Sequence, residues 1–151
     1  MKTIIVLFLF VCSVSTGFSQ SPLYAGEKQL NFGIGIDDGG GIPLYAGVDF
    51  HIADNLTLGP VASLSSDFFS GVGAINYHFD ELFGLPSEWN IYAGANAGFI
   101  ASLDDDFSGD GFGIGLQLGG RYFFNDRWGI NLEGGGGNQI SGGKLGMTMK
   151  F

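Results

Sequence analysis

The chain has 151 residues, 45% hydrophobic and 14% charged, with 28 glycines, 15 phenylalanines and a single cysteine, which leaves room for one modest domain and excludes a multidomain enzyme. Glycine this abundant without a G-X-Y repeat is not collagen, and an aromatic content of 15% is not that of a disordered chain. Fifteen acids against six scattered bases give a formal charge of −9, so nucleic acid is not expected as a partner.

The first unit, residues 1–19, reads as a Sec signal peptide: a basic start at Met1-Lys2-Thr3, an apolar run from Ile4 to Val14, and a small-x-small site at Gly17-Phe18-Ser19. Ser13, Ser15 and Thr16 interrupt the run before the ~20 apolar residues a membrane anchor needs. Cys12 lies inside the run and follows Val11, where a lipoprotein site would have a small residue. Cleavage would leave residues 20–151 as one exported domain without cysteine, and therefore without disulfides.

From Leu30 onward the dominant signal is a period of two. Leu30, Phe32, Ile34 and Ile36 alternate with Asn31, Gly33 and Gly35, and Asp37-Asp38-Gly39-Gly40-Gly41 makes a turn. The second segment sets Leu44, Ala46, Val48, Phe50 and Ile52 against Tyr45, Gly47, Asp49 and His51. The third, Leu56 to Ser65, contains Pro60, and because proline cannot donate to a ladder a bulge or local break is expected there. The fourth, Ser70 to Phe79, has Ile75, Tyr77 and Phe79 against Asn76 and His78, and precedes a long connector, Asp80 to Trp89. The fifth, Asn90 to Ala101, sets Ile91, Ala93, Ala95, Ala97 and Phe99 against Tyr92, Gly94, Asn96 and Gly98, and an acidic loop, Leu103 to Asp110, follows. The sixth alternates most cleanly, with Phe112, Ile114, Leu116, Leu118 and Tyr122 against Gly113, Gly115, Gln117, Gly119 and Arg121. The seventh pairs Trp128, Ile130 and Leu132 against Gly129, Asn131 and Glu133, before a glycine-rich connector, Gly134 to Gly142. In the eighth, Leu145, Met147, Met149 and Phe151 alternate with Lys144, Gly146, Thr148 and Lys150. No amphipathic helix is indicated.

Eight such strands suit a soluble barrel with its apolar face inward or a membrane barrel with that face outward. The second face favours the membrane barrel, since it is mostly glycine, which gives poor polar cover on an exposed strand but fits a narrow lumen. Aromatic placement points the same way. With both termini on one side, Phe50, Phe79, Tyr122, Trp128 and Phe151 fall near that end and Phe69, Phe99 and Phe112 near the other, as two girdles would.

Leu145, Met147, Met149 and terminal Phe151 resemble the C-terminal insertion signal of Gram-negative outer-membrane barrels, which implies the barrel assembly machinery as a partner. The segments Gly111 to Asp126 and Trp128 to Glu133 are similar to the penultimate hairpin of such barrels, and over residues 20–151 the chain resembles the small eight-stranded outer-membrane β-barrel family of OmpA-like, OmpX-like and porin-family proteins. The resemblance implies an all-β, eight-stranded, antiparallel, up-and-down transmembrane barrel with both termini in the periplasm. It also implies a monomer in contact with outer-membrane lipid and lipopolysaccharide. The alternative is a soluble exported lipocalin-like barrel with Leu116, Leu118, Ile130 and Met147 inside around an apolar ligand.

Charges inside a narrow lumen must pair or meet water, so Asp49, His51, His78, Arg121, Glu133, Lys144 and Lys150 are expected to form a polar network, with Glu133 facing Lys144 across the last hairpin. Its role is structural pairing or a narrow path through the barrel. Some barrels of the resembled kind act on lipid A with a His and a Ser near the outer leaflet, but His51 and His78 fall at the other end. The loop Asp104 to Asp110 opens like a calcium loop, yet Gly115 stands where a ligating Glu is needed. No catalytic residue, cofactor or metal is therefore assigned; the expected role is structural, interaction or narrow-pore.

Overall fold

A period of two sends successive side chains to opposite faces of an extended strand, and the eight alternating segments do form strands. The structure, a computed structural model, describes residues 26–36, 42–103, 111–138 and 142–151. The signal peptide expected at 1–19, the turn at 37–41 and the acidic stretch 104–110 lie outside the described residues. The strands are β1 (Lys28–Ile36), β2 (Leu44–Ala53), β3 (Leu56–Leu64), β4 (Phe68–His78), β5 (Trp89–Ser102), β6 (Gly111–Phe123), β7 (Trp128–Gly137) and β8 (Gly142–Lys150). Each pairs antiparallel with the next, and β8 returns to β1 from Gln29↔Lys150 to Ile36↔Gly143, closing the barrel. No helix among the described residues is long and apolar enough to cross a membrane.

Three local expectations are corrected. No bulge sits at Pro60: the β2–β3 register continues unchanged from Gly47↔Val61 to Phe50↔Leu58, and Pro60 itself pairs with Gly73. The register shift falls instead between His51 and Ala53, beside the Asp54-Asn55 turn where Asn55 takes a left-handed φ of 59°. The glycine run after Glu133 is not all connector, because Gly134 to Gly137 continue β7, with Gly135 opposite both Gln117 and Gly142; glycine lacks a side chain but keeps both ladder groups. The long connector contains a single helical turn, α1 (Asp80–Phe83), ended by Gly84 in the left-handed conformation.

The faces settle which architecture is present. On β6, Leu116 is 71% exposed while neighbouring Gln117 is 6% exposed. Along the wall Leu118, Ile130, Leu132 and Leu145 are exposed, and Asn31, Asn76, Asn131 and Thr148 are buried. The lipocalin-like alternative required Leu116, Leu118, Ile130 and Met147 inside, and it fails on their orientation. A soluble monomer seldom exposes more than about 300–600 Å² of contiguous apolar surface, and here the whole wall is apolar outside. Most outward aromatics gather at the two ends, Phe69, Phe99 and Phe112 at one and Phe50, Tyr122, Trp128 and Phe151 at the other, while Phe32 lies in the middle of β1. Trp89 joins the second group, its ring 4.9 Å from that of Tyr122.

Candidate functional site in the barrel lumen

Alternation delivers the site: many inward positions, among them Asn31, Asp49, Asn76, Tyr92, Gln117, Arg121 and Asn131, carry a group able to hydrogen-bond, and closure brings them together. At the centre is Arg121, 3% exposed. Its Nη2 lies 2.6 Å from Asp49 Oδ2, and its guanidinium stacks on Tyr92 with 4.2 Å to the ring centroid. Gln29 fits with its amide oxygen turned to Arg121 Nε at 2.9 Å. Asn31 donates to Asp49 Oδ2 at 2.9 Å. Gly119 makes the stack possible, since a methyl there would collide with the Tyr92 ring.

Arginine can only donate, and this fixes the direction of the bonds that follow. Arg121 Nη1 donates to Asn90 Oδ1 at 3.2 Å, which leaves the Asn90 amide hydrogens for Asp80 Oδ2 and His78 Nδ1, each at 2.7 Å. His78 Nδ1 is thus an acceptor, its proton is on Nε2, and it donates to Thr57 Oγ1 at 3.0 Å. Asp80 also accepts from the backbone N–H of Ile91 at 2.8 Å. Burial raises the Asp80 carboxyl above its ordinary value, against the lowering effect of those two hydrogen bonds.

A second cluster lies beside the first. Lys144 Nζ and Glu133 Oε1 are 2.6 Å apart, the Tyr92 hydroxyl donates to Glu133 Oε2 at 2.7 Å, and the Tyr45 hydroxyl donates to Asn131 Oδ1 at 2.7 Å. A third set of amides runs from Asn96 through Gln117 to Asn76 at 2.7 and 2.6 Å. Between these clusters the described side chains leave a void of about 20 Å³, lined by Asn31, Tyr45, Asp49, Tyr92, Arg121 and Glu133 among others. That is room for about one water molecule.

Of the charged residues expected in the lumen, Asp49 and Arg121 meet directly, Glu133 and Lys144 form their own pair, and His78 joins the Arg121 cluster through Asn90. His51 and Lys150 stand apart from these bonds: His51 is half-buried opposite Thr57, and the Lys150 ammonium lies 4.1 Å over the Phe123 ring. Leu145, Met147, Met149 and Phe151 carry no lumen role, because inward Thr148 puts them on the opposite face of β8. Sequence reasoning assigns no role to the uncharged majority: the alternation already places Asn31, Tyr45, Asn76, Tyr92, Asn96, Gln117, Asn131 and Thr148 on the inward face, while Gln29, Thr57 and Asn90, at strand ends, are added by the structure. Asp80, in the connector, joins the network through a contact that no strand periodicity signals. The calcium-like stretch at 104–110 is outside the described residues, and among those described no cluster of His, Cys, Asp and Glu could hold a metal.

With an apolar wall outside and a polar filling inside, comparison with solved structures decides the fold. OprG, an outer membrane protein of Pseudomonas aeruginosa, superposes with a TM-score of 0.66 at 15% identity, over 84% of this chain and 96% of that one. The fold is that of the small outer-membrane β-barrels. A de novo designed transmembrane β-barrel gives a TM-score of 0.64 at 15% identity, over 85% of this chain and 98% of its own. The outer membrane protein Ail of Yersinia pestis gives 0.55 at 12% identity, over 83% and 99%. No protein-family model matches the sequence of the barrel, and neither does any curated protein. What the barrel shares with these structures is the fold, at 12–15% sequence identity.

Proposed function

We propose that this protein is a resident barrel of an outer membrane whose lumen is filled rather than open, serving a structural or surface-interaction role. One observation supports the reading above others: an apolar wall surrounds a core of interlocked polar side chains that leaves a void of about 20 Å³ among the described residues. A water-filled channel needs a continuous path, whereas here Arg121, Tyr92, Gln29 and Asp49 occupy the cross-section together. In this reading residues 1–19 direct export, the barrel assembly machinery inserts the chain, the partners of the wall are outer-membrane lipid and lipopolysaccharide, and the barrel works as a monomer. The role is not enzymatic, since the buried His78 is engaged by Thr57 and Asn90 as a structural group.

Fractionation of cells expressing the chain, with unheated and boiled samples compared on a detergent gel, tests the location. Recovery in the outer membrane with a heat-dependent change of migration is expected, and a soluble protein without it would refute the reading. Planar-bilayer recordings test the filled lumen: no unitary currents are expected from wild type or from Glu133→Ala, and steady conductance from either would restore the pore.

A further inference from the structure

The β4–β5 connector is held rigidly while presenting large apolar side chains outward. Leu82 and Phe83 of α1 are 71% and 60% exposed. The turn that carries them is pinned at its base, because Asp80 is buried and accepts from Ile91 N–H and Asn90. It is pinned again at its side, where Asn55 of the β2–β3 turn donates to Glu81 Oε2 at 2.9 Å. Leu85 N–H donates to the Asp80 carbonyl at 3.0 Å, closing the turn around Gly84.

The direction in which Phe83 points follows from its neighbours. Tyr77 is an outward residue of the β4 wall, its ring is 5.0 Å from that of Phe79, and the Phe79 ring is 6.0 Å from that of Phe83. These rings form a continuous ladder from the lipid-facing wall onto the connector. α1 therefore straddles the rim, with Asp80 turned to the lumen and Phe83 on the wall side. Aromatic and aliphatic groups continuous with a membrane-facing girdle are suited to the boundary between headgroups and acyl chains. The connector also carries acidic Glu81 and Glu88, so attraction to anionic headgroups is not what would hold it there.

We infer that the β4–β5 connector is a membrane-surface anchor: α1 sets Leu82 and Phe83 into the phospholipid leaflet at the end of the barrel where the termini lie, by apolar insertion alone. This rests on the bilayer reading of the barrel, and the experiment separates the two. Single cysteines are placed at Leu82, Phe83, Leu116 and Asp126 of the full chain carrying Cys12→Ser. Each is labelled with an environment-sensitive fluorophore and folded into phosphatidylcholine vesicles, with heat-dependent migration as the check of folding. Brominated acyl chains report lipid contact and iodide reports water contact.

The inference expects quenching by brominated lipid at Leu82 and Phe83 as at Leu116 on the wall, and quenching by iodide at Asp126 in the β6–β7 turn, with no gain when anionic lipid is added. If Leu116 is quenched by brominated lipid while Leu82 and Phe83 follow Asp126, the anchor is refuted and the barrel reading stands. If Leu82 and Phe83 are shielded from both quenchers, a protein surface covers them and the anchor is likewise refuted. If Leu116 itself is not quenched by lipid, the bilayer reading falls, and the anchor with it.

Discussion

Arg121 is a permanent charge where water barely reaches, so its burial depends on Asp49, 2.6 Å away and equally enclosed. Removing one partner of such a pair strands the other, and Asp49→Ala is expected to cost about 3–5 kcal/mol, read as a lower urea midpoint of the vesicle-folded barrel. Glu133→Ala should cost less, about 1–3 kcal/mol, because the Lys144 it leaves is partly exposed and can turn to water while the buried Tyr92 hydroxyl loses its acceptor. Asp80 supplies a pH test. Its carboxyl is raised by burial above an ordinary value near 3.8, so the folded state binds the proton more tightly than the unfolded chain does. That contribution to stability is complete below the unfolded value and is lost as pH rises through the folded one. Asp80→Asn should therefore remove a decline of stability on going from acid toward neutral pH, visible in urea midpoints measured across that interval. The charged members of this network were legible because a charge on a mostly glycine face stands out. The amides, which supply most of the bonds, were equally regular in spacing but chemically quieter, and the pairing of Asp80 with Asn90 depends on a helical turn too short to leave a periodic signature.

Strands in so narrow a barrel must coil steeply, and inward glycines let neighbouring backbones approach. A methyl at Gly59 would collide with the Val48 carbonyl oxygen, whereas at outward Gly136 it would meet nothing within 4 Å. Gly59→Ala is thus expected to destabilise the barrel by about 1–3 kcal/mol, and Gly136→Ala to leave it unchanged or more stable by up to about 1 kcal/mol. Paired urea titrations of the two variants check the contrast, and equal effects would contradict it. The same backbone logic explains what reading the elements from sequence missed. Pro60 looked like a break, but with the register unchanged on either side of it and its β4 pairing intact, one absent donor does not move the strand. Gly134 to Gly137 looked like a loop because glycine shows no alternation, yet a ladder needs only backbone groups.

At the scale of the molecule the faces are inverted relative to a soluble protein, and this inversion was legible in the sequence through what accompanied the apolar residues: mostly glycine rather than Lys, Glu and Thr. Leu116→Arg places a charge on the lipid side and should cost about 2–4 kcal/mol if near mid-depth, with a matching loss of the heat-sensitive folded band in vesicles. Anchoring by Leu82 and Phe83 belongs to the same scale, since it extends the lipid-facing surface past the ends of the strands.

The closing seam has a consequence of another kind. Asn31 and Thr148, bonded at 2.8 Å, are 117 positions apart in the chain, so the contact that completes the wall carries the largest loop-closure entropy and is expected to form late. Until it forms, β1 and β8 each expose a row of backbone donors and acceptors to a medium that offers none in return. Assembly is therefore topologically all-or-none: a chain ending before β8 should give no smaller barrel, only an open sheet that the bilayer will not accept.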